Sequence, residues 1–300
     1  MTGFSIALQC KTGGVIWRWN HARANAALLG LWPSLADYAA PKEIATIAQV
    51  RAMLDRGADV NARDRYGATP LIEASRAGDI ASVKYLVSKG ADVNAKDAMG
   101  GTPAILHAAL GARQLSNSST ASYGNLDCVR FLVAKGADVN AHDVSGVTGL
   151  MYAASAGNPD CVMYFVSKGA DVNAIRGGST PLMCASRRGS LACIQFLTGR
   201  GANVNTRGGS GVTALMCAAA SGNIGSCKYL ISKGANLNAK ARNGTTALAI
   251  AAGHDNVNLV KLLLSDGADV NPRHNKANIA LIQAQSHPAI VALLKAAGAK

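Results

Sequence analysis

The sequence predicts an all-α solenoid of about eight stacked helix-turn-helix units, joined by β-hairpin-like loops and closed by a degenerate unit at each end. The first observation behind this is a recurring phrase. Gly-Ala-Asp-Val-Asn or a close variant begins at Gly57, Gly90, Gly136, Gly169, Gly201, Gly234 and Gly267, at intervals of 33, 46, 33, 32, 33 and 33 residues. Self-similarity at a fixed period means that each unit is one supersecondary element stacked on the next. The second is composition: 49% hydrophobic but only 5% aromatic, with 32 glycines, describes a core of small side chains spread along a chain of 300 residues. A disordered polar chain is excluded, and no apolar run reaches the roughly 18 residues of a spanning helix.

Residues 1–32 precede the first unit and read as an irregular extension packed on it through Trp17, Trp19 and Trp32, the chain's three tryptophans. Residues 1–36 contain Lys11, Arg18 and Arg23 and no acid before Asp37, which leaves organelle targeting open. Residues 33–300 form the repeat domain. Its first unit is a degenerate cap, with helices expected around Ser34–Ala40 and Ile44–Arg56.

Each later unit reads in the same order. Threonine stands eleven or twelve residues after the glycine, at Thr69, Thr102, Thr148, Thr180, Thr213 and Thr246, where its hydroxyl can cap a helix. Pro70, Pro103 and Pro181 follow at a first-turn position that needs no N–H. A short apolar helix ends at Gly78-Asp79, Gly157-Asn158 or Gly222-Asn223, and a second helix closes on the next phrase's glycine. Neither helix is long enough to be stable alone, so units must stack. A Ser/Thr/Asn-rich insertion of 13 residues near 111–123 separates the helices of the third unit and reads as a flexible surface loop. Residues 275–300 lack the threonine and the interhelix glycine and read as the C-terminal cap.

A 33-residue period with Gly-x-Thr-Pro-Leu entering the first helix and Gly-Ala-Asp-Val-Asn leaving the second resembles the ankyrin repeat over residues 33–300. One departure concerns the family's Thr-Pro-Leu-His, whose histidine position is held here by Ile72, Met151, Met183, Met216 and Ala249; an apolar seam is expected there instead.

Stacking turns the period into columns. Cys128, Cys161, Cys193 and Cys227 form one, read as small core residues because adjacent helix axes 8–10 Å apart are too far for disulfides. Tyr85, Phe131, Tyr164, Phe196 and Tyr229 form an aromatic packing column. Lys89, Lys135, Lys168, Arg200 and Lys233 end each second helix, where a cation complements the helix dipole. In the loops, Asp64, Asp97 and Asp143 each follow a basic residue or histidine, whereas the later loops lack the acid. The later loop edge is therefore expected to be positive and to receive an acidic surface, consistent with a formal charge of +13.

No phosphate-binding loop, nucleophile elbow or metal-ligand spacing is present, so no enzyme, cofactor or metal is expected. Cysteines within apolar helical stretches indicate the cytoplasm or another reducing compartment. The resemblance implies a non-catalytic scaffold that binds a partner protein through its loop tips and concave first-helix face. The matching positions offer Arg65, Tyr66, Ala68, Glu73, Arg76, Met99, Tyr152, Arg187 and Arg188, with Arg176, Arg207, Lys240, Arg242 and Arg273 along the basic edge. The alternative is polyanion or nucleic-acid binding at that edge, less favoured because exposed aromatics are not interleaved with the charges.

Overall fold

The computed structural model describes residues 4–8, 15–19, 47–111, 125–271 and 278–300. The chain divides into two units, residues 1–145 and 146–300. Unit 1 holds strands β1 (Phe4–Leu8) and β2 (Val15–Trp19) and helices α1 (Ile47–Asp55), α2 (Pro70–Ala77), α3 (Ile80–Ser88), α4 (Ala104–Leu110) and α5 (Leu126–Ala134). Unit 2 holds α6 (Gly149–Ala156), α7 (Pro159–Ser167), α8 (Pro181–Arg188), α9 (Leu191–Gly199), α10 (Ala214–Ala220), α11 (Ile224–Ser232), α12 (Ala247–Gly253), α13 (Val257–Ser265), α14 (Ile279–Gln283) and α15 (Pro288–Ala296).

Within each unit the helices form two layers. First helices pack on first helices, α2 on α4 in unit 1 and α6, α8, α10, α12 and α14 in succession in unit 2. Second helices line up likewise, as α1, α3 and α5 and as α7 through α15 by odd numbers. The core between the layers is apolar: Leu71, Ile72, Leu86 and Leu132 in unit 1, and Leu150, Met151, Phe165, Met183 and Ile194 in unit 2. The apolar seam expected in place of the histidine is there, with Ile72, Met151, Met183, Met216 and Ala249 all buried.

Local chemistry sets the element ends. Thr69, Thr148, Thr180, Thr213 and Thr246 each accept a hydrogen bond from the backbone N–H three residues on, satisfying one orphan donor of the first turn. Thr102 departs from the expectation. Helix α4 begins at Ala104 with Pro103 as its N-cap, so no side chain caps it; the Thr102 N–H instead donates to Asp97 Oδ1 at 3.1 Å. Second helices end in a left-handed glycine, for example Gly90 at φ 88°, with Ala91 N–H returning to Leu86 O at 3.0 Å.

Asparagine does work that the repeat phrase alone did not explain. Asn61 Nδ2 donates to Gly90 O at 3.2 Å while its Oδ1 accepts from Asp92 N–H at 2.8 Å. Asn94, Asn173 and Asn205 repeat the same double bond to the next phrase. At the interhelix turns Asn125, Asn223 and Asn256 cap a second helix and also donate to a glycine carbonyl one repeat back. Both edges of the stack are thus tied by amides.

The extension, read from sequence as irregular, contains an antiparallel pair instead: Phe4, Ile6 and Leu8 lie opposite Trp19, Trp17 and Val15. Alternating apolar residues in each segment carry the period-2 pattern of a strand. The loops read as β-hairpin-like are tighter than strands. Lys96 with Pro103 and Arg176 with Ser179 form single bridges. The helix expected at 34–40, the beginning of the one expected at 44–56, and the insertion from residue 112 onward lie outside the described residues.

Candidate protein-interaction surface

The hairpin tips are linked in series. Ala98 N–H donates to Tyr66 O at 2.8 Å and Val144 N–H to Gly100 O at 2.8 Å in unit 1. In unit 2, Gly209 N–H donates to Gly178 O and Arg242 N–H to Ser210 O, both at 2.9 Å. Side chains at the tips therefore stand in a row on a hydrogen-bonded edge. In unit 1 that row carries Arg65, whose guanidinium lies 4.5 Å from the centre of the Tyr66 ring, and Met99, which is 62% exposed. Val144 is 79% exposed in the adjacent tip, and the sequence reading missed it. Ala68, named as a contact position, is buried beneath the tip and takes no part in the surface.

The aspartates that follow the basic loop residues do something other than neutralise them. Asp64 Oδ1 accepts from Tyr66 and Ala68 N–H, both at 2.8 Å; Asp97 Oδ1 accepts from Gly100 and Thr102, and Asp143 Oδ1 from Ser145. They close the hairpins. The backbone closes them as well, Asp64 N–H donating to Ala68 O at 3.0 Å; in unit 2 Gly208 N–H donates to Val212 O and Ala241 N–H to Thr245 O, both at 2.9 Å, and the amide oxygen of Asn243 accepts from Thr245 N–H at 3.1 Å. The basic column has a structural role as well. Arg63 Nη1 donates to Lys96 O at 2.6 Å, and Arg207 Nη2 to Lys240 O, each strapping one hairpin to the next.

The first-helix face differs between the units. In unit 1, Glu73 and Arg76 form an ion pair, and His107 Nε2 lies 3.2 Å from Asp97 Oδ2. Burial pushes the Glu73 carboxyl up to about 7; Arg76 opposes this, while Asp64 and Asp97 add to it. Burial also drives His107 down, with the Asp97 hydrogen bond resisting and the Arg76 charge assisting. For Asp97, burial works against the charge, but the His107 bond and the Gly100 and Thr102 N–H groups outweigh it and leave the carboxyl below its usual value. Sequence gave Glu73 and Arg76 as contacts but missed the His107–Asp97 pair. A lone histidine in the apolar run Ala104–Leu110 was the available signal.

In unit 2 the position of Glu73 is taken by Tyr152, Cys184 and Cys217. Tyr152 is half-buried, and Arg187 Nη2 lies 3.9 Å from Cys217 Sγ. Arg187 and Arg188 are exposed, the stem of Arg188 resting against Gly157. Arg176 and Arg242 are exposed at tips, Lys240 is half-buried, and Arg207, Ala241 and Arg242 converge around Gly211. Arg273 lies outside the described residues. Residues 172–254 contain nine Lys or Arg and no Asp or Glu.

The cysteine column is buried, and the aromatic column is half-buried under basic side chains. Cys128, Cys161, Cys184, Cys193, Cys217 and Cys227 are buried free thiols, and burial pushes Cys227 up to about 12. Lys89, Lys135, Lys168, Arg200 and Lys233 lie 5.0–5.8 Å from the ring centres of Tyr85, Phe131, Tyr164, Phe196 and Tyr229. Two columns read separately from sequence are thus one cation–π motif repeated per unit.

The family model described as "Ankyrin repeats (3 copies)" matches residues 34–112, 118–208 and 200–274. The chain belongs to the ankyrin repeat family. Among solved structures it is similar to the human ASB11 ankyrin repeat domain, at 25% identity over 78% of this chain and 99% of that chain, with a TM-score of 0.67. No curated protein matches the sequence. Ankyrin repeats generally mediate protein–protein interaction and are typically non-catalytic. Because 626 chains of solved structures match, the likeness specifies the framework and leaves the partner to the side chains displayed on it. Among the described residues no helix of this ankyrin repeat chain is long and apolar enough to cross a membrane.

Proposed function

We propose that this protein is an interaction scaffold that holds an acidic surface of a partner protein on the hairpin tips and first-helix face of unit 2. The contacts are Arg176, Arg187, Arg188, Arg207, Lys240 and Arg242, extended by Arg273. Unit 1 contributes a second contact region at Arg65, Tyr66, Met99, Glu73 and Arg76, where the exposed methionine and arginine-backed tyrosine suit an apolar anchor.

The observation that carries this reading is how residues 172–254 keep the turn geometry without an acid. The phrase aspartate makes a local turn: Asn61 N–H donates to Asp59 Oδ1 at 2.9 Å. Asn203 and Asn236 make the same bond, to Asn205 and Asn238 N–H, at the same 2.9 Å. Replacing carboxylate by amide keeps the geometry and removes the charge. The fold therefore does not demand the acid-free stretch, and a single-sign field over it raises the encounter rate with an acidic partner.

Affinity capture from nuclease-treated source lysate, eluted by a salt gradient, tests the reading. A protein retained at moderate salt is expected, and its retention should fall sharply for Arg176→Glu/Arg207→Glu/Arg242→Glu. Retention unchanged by those reversals would falsify the site. Capture of nucleic acid alone, with the steep salt dependence of phosphate contacts, would replace the protein partner by a polyanion.

A further inference from the structure

Two neighbouring hairpin tips of unit 2 are almost bare. The tip at Arg242 and Asn243 displays exposed side chains, whereas the two before it are Gly177-Gly178 and Gly209-Ser210. The phrase interval from Gly169 to Gly201 is one residue short, and the loop inside it is a two-residue hairpin. Arg176 N–H donates to Ser179 O at 3.0 Å and Ser179 N–H to Arg176 O at 2.9 Å, with Gly177 and Gly178 left-handed at φ 52° and 70°. Such a turn asks for Gly or Asn at both central positions. The next turn packs on it backbone to backbone. Gly209 N–H donates to Gly178 O, and a Cβ on Gly178 would lie 3.1 Å from Gly209 Cα. The result is a shelf of exposed backbone on which the largest side chain is that of Ser210.

The shelf is rich in donors. The N–H groups of Gly177, Gly178 and Ser210 have no hydrogen-bond partner among the described residues. The Arg176 and Arg242 guanidiniums likewise have no hydrogen-bond or ion-pair partner there, and Arg207 uses one donor on Lys240 O. Arg207 Nη2 and Arg242 N both lie within 3.3 Å of the point that a Cβ on Gly211 would occupy, so these two residues meet at the border of the shelf. The flanking carboxylates in sequence are Asp171 and Asp255, and Asp171 Oδ1 accepts from Asn173 N–H at 2.8 Å in its own turn.

We infer that this shelf receives a phosphorylated side chain of the partner protein, an inference that rests on unit 2 being the acidic-surface site and names the group it recognises. A phosphate monoester carries close to two negative charges and three acceptor oxygens, so it can accept from turn N–H groups and from a guanidinium together. A carboxylate offers two oxygens in one plane and a single charge. Backbone N–H groups reach an anion where no side chain holds it off, which glycine permits. Arginine at 176, 207 and 242 supplies forks that match phosphate geometry, which lysine would not. A nucleic acid would add base stacking on aromatic rings, and the described tips of unit 2 carry none.

The test is titration of the isotope-labelled full chain, at physiological salt, with a short Gly-Ser peptide bearing one phosphoserine. The amide resonances of Gly177, Gly178 and Ser210 should move, with a dissociation constant about tenfold below that of the same peptide bearing glutamate instead. Arg176→Gln/Arg242→Gln should weaken the phosphopeptide about tenfold, with circular dichroism unchanged. Gly177→Asn suits the same turn but sets a side chain on the shelf, and it should weaken binding as well. Equal binding of the glutamate peptide at these amides would overturn the inference and leave the acidic-surface reading standing. Amides silent toward both peptides would overturn both. Binding that ignores the Arg176→Gln/Arg242→Gln change, or inorganic phosphate held as tightly as the phosphopeptide, would also overturn the inference. So would a single-stranded oligonucleotide that binds the shelf more tightly than the phosphopeptide.

Discussion

The two units carry the same number of cations, fifteen Lys or Arg each, yet unit 1 has twelve Asp or Glu and unit 2 has five. Unit 1 closes hairpins with Asp64, Asp97 and Asp143 and sets Glu73, Arg76, Asp97 and His107 on its first-helix face. Unit 2 closes hairpins with backbone and the Asn243 amide, and fills the same face with Tyr152, Cys184, Cys217 and alanines. The difference teaches that the ankyrin framework requires an oxygen acceptor at its turns and small apolar groups at its seam. The sign and amount of charge are left free for recognition.

The largest effect should come from the core of unit 2. Phe165 stands where the neighbouring units have leucine, and its ring fills the space that a Cβ on Gly149 would occupy, 2.5 Å from Cε1. Phe165→Ala should cost about 3–5 kcal/mol and Gly149→Ala about 1–3 kcal/mol by overpacking. Phe165→Leu/Gly149→Ala, which restores the usual pairing, should cost less than the sum of Phe165→Leu and Gly149→Ala made singly; urea unfolding measures all of them. Additive costs would mean that the two positions are not coupled.

The next effect separates the units by pH. Glu73 has its folded value raised to about 7 from 4.5, so the folded state holds the proton more tightly. Stability from this group is present below about 4.5, declines as pH rises toward 7, and is lost above it. Glu73→Gln removes that loss. The variant should gain up to about 3 kcal/mol on the native chain between pH 5 and 8. Parallel pH profiles for both proteins would deny the burial-driven shift. His107, held low, acts in the opposite sense, costing stability as pH falls below its ordinary value.

A smaller effect is expected where the comparison is most pointed. Asn203→Asp and Asn236→Asp restore the carboxylates of unit 1 to unit 2. They should change stability by less than about 0.5 kcal/mol, while lowering the salt concentration at which an acidic partner elutes. A large stability loss would show that the amides are structural. Smallest of all, the six buried thiols should resist alkylation in the native state at pH 8, because burial raises those of Cys184, Cys193, Cys217 and Cys227. Peptide mapping after brief iodoacetamide treatment checks this.

Much of the architecture was legible because a period of 33 residues, a capping threonine and a terminal glycine are local signals, each satisfied within one unit. What escaped was set by neighbours. The purpose of Asn61, Asn94 and Asn205 lies in the next repeat, 29 to 44 residues away. Thr102 looked like its counterparts but was drawn to Asp97, and Asp64 looked like a counter-charge until its backbone donors were seen. Among candidate contacts, sequence could name Arg65, Met99 and Arg187 as variable positions on a known framework. It could not separate Arg242, displayed at a tip, from Arg207, which spans to the Lys240 carbonyl.

Sequence by itself determined the repeat, its phase, its helix ends and the imbalance of charge, since these depend on residue type and spacing along the chain. Tertiary structure decided which polar groups hold the stack and which face outward. It also brought Glu73, Arg76, Asp97 and His107 into one environment, where burial raises the Glu73 carboxyl and lowers His107. The physical reason is that hydrogen-bond partners and dielectric surroundings come from side chains a full repeat away, and only stacking brings those within reach.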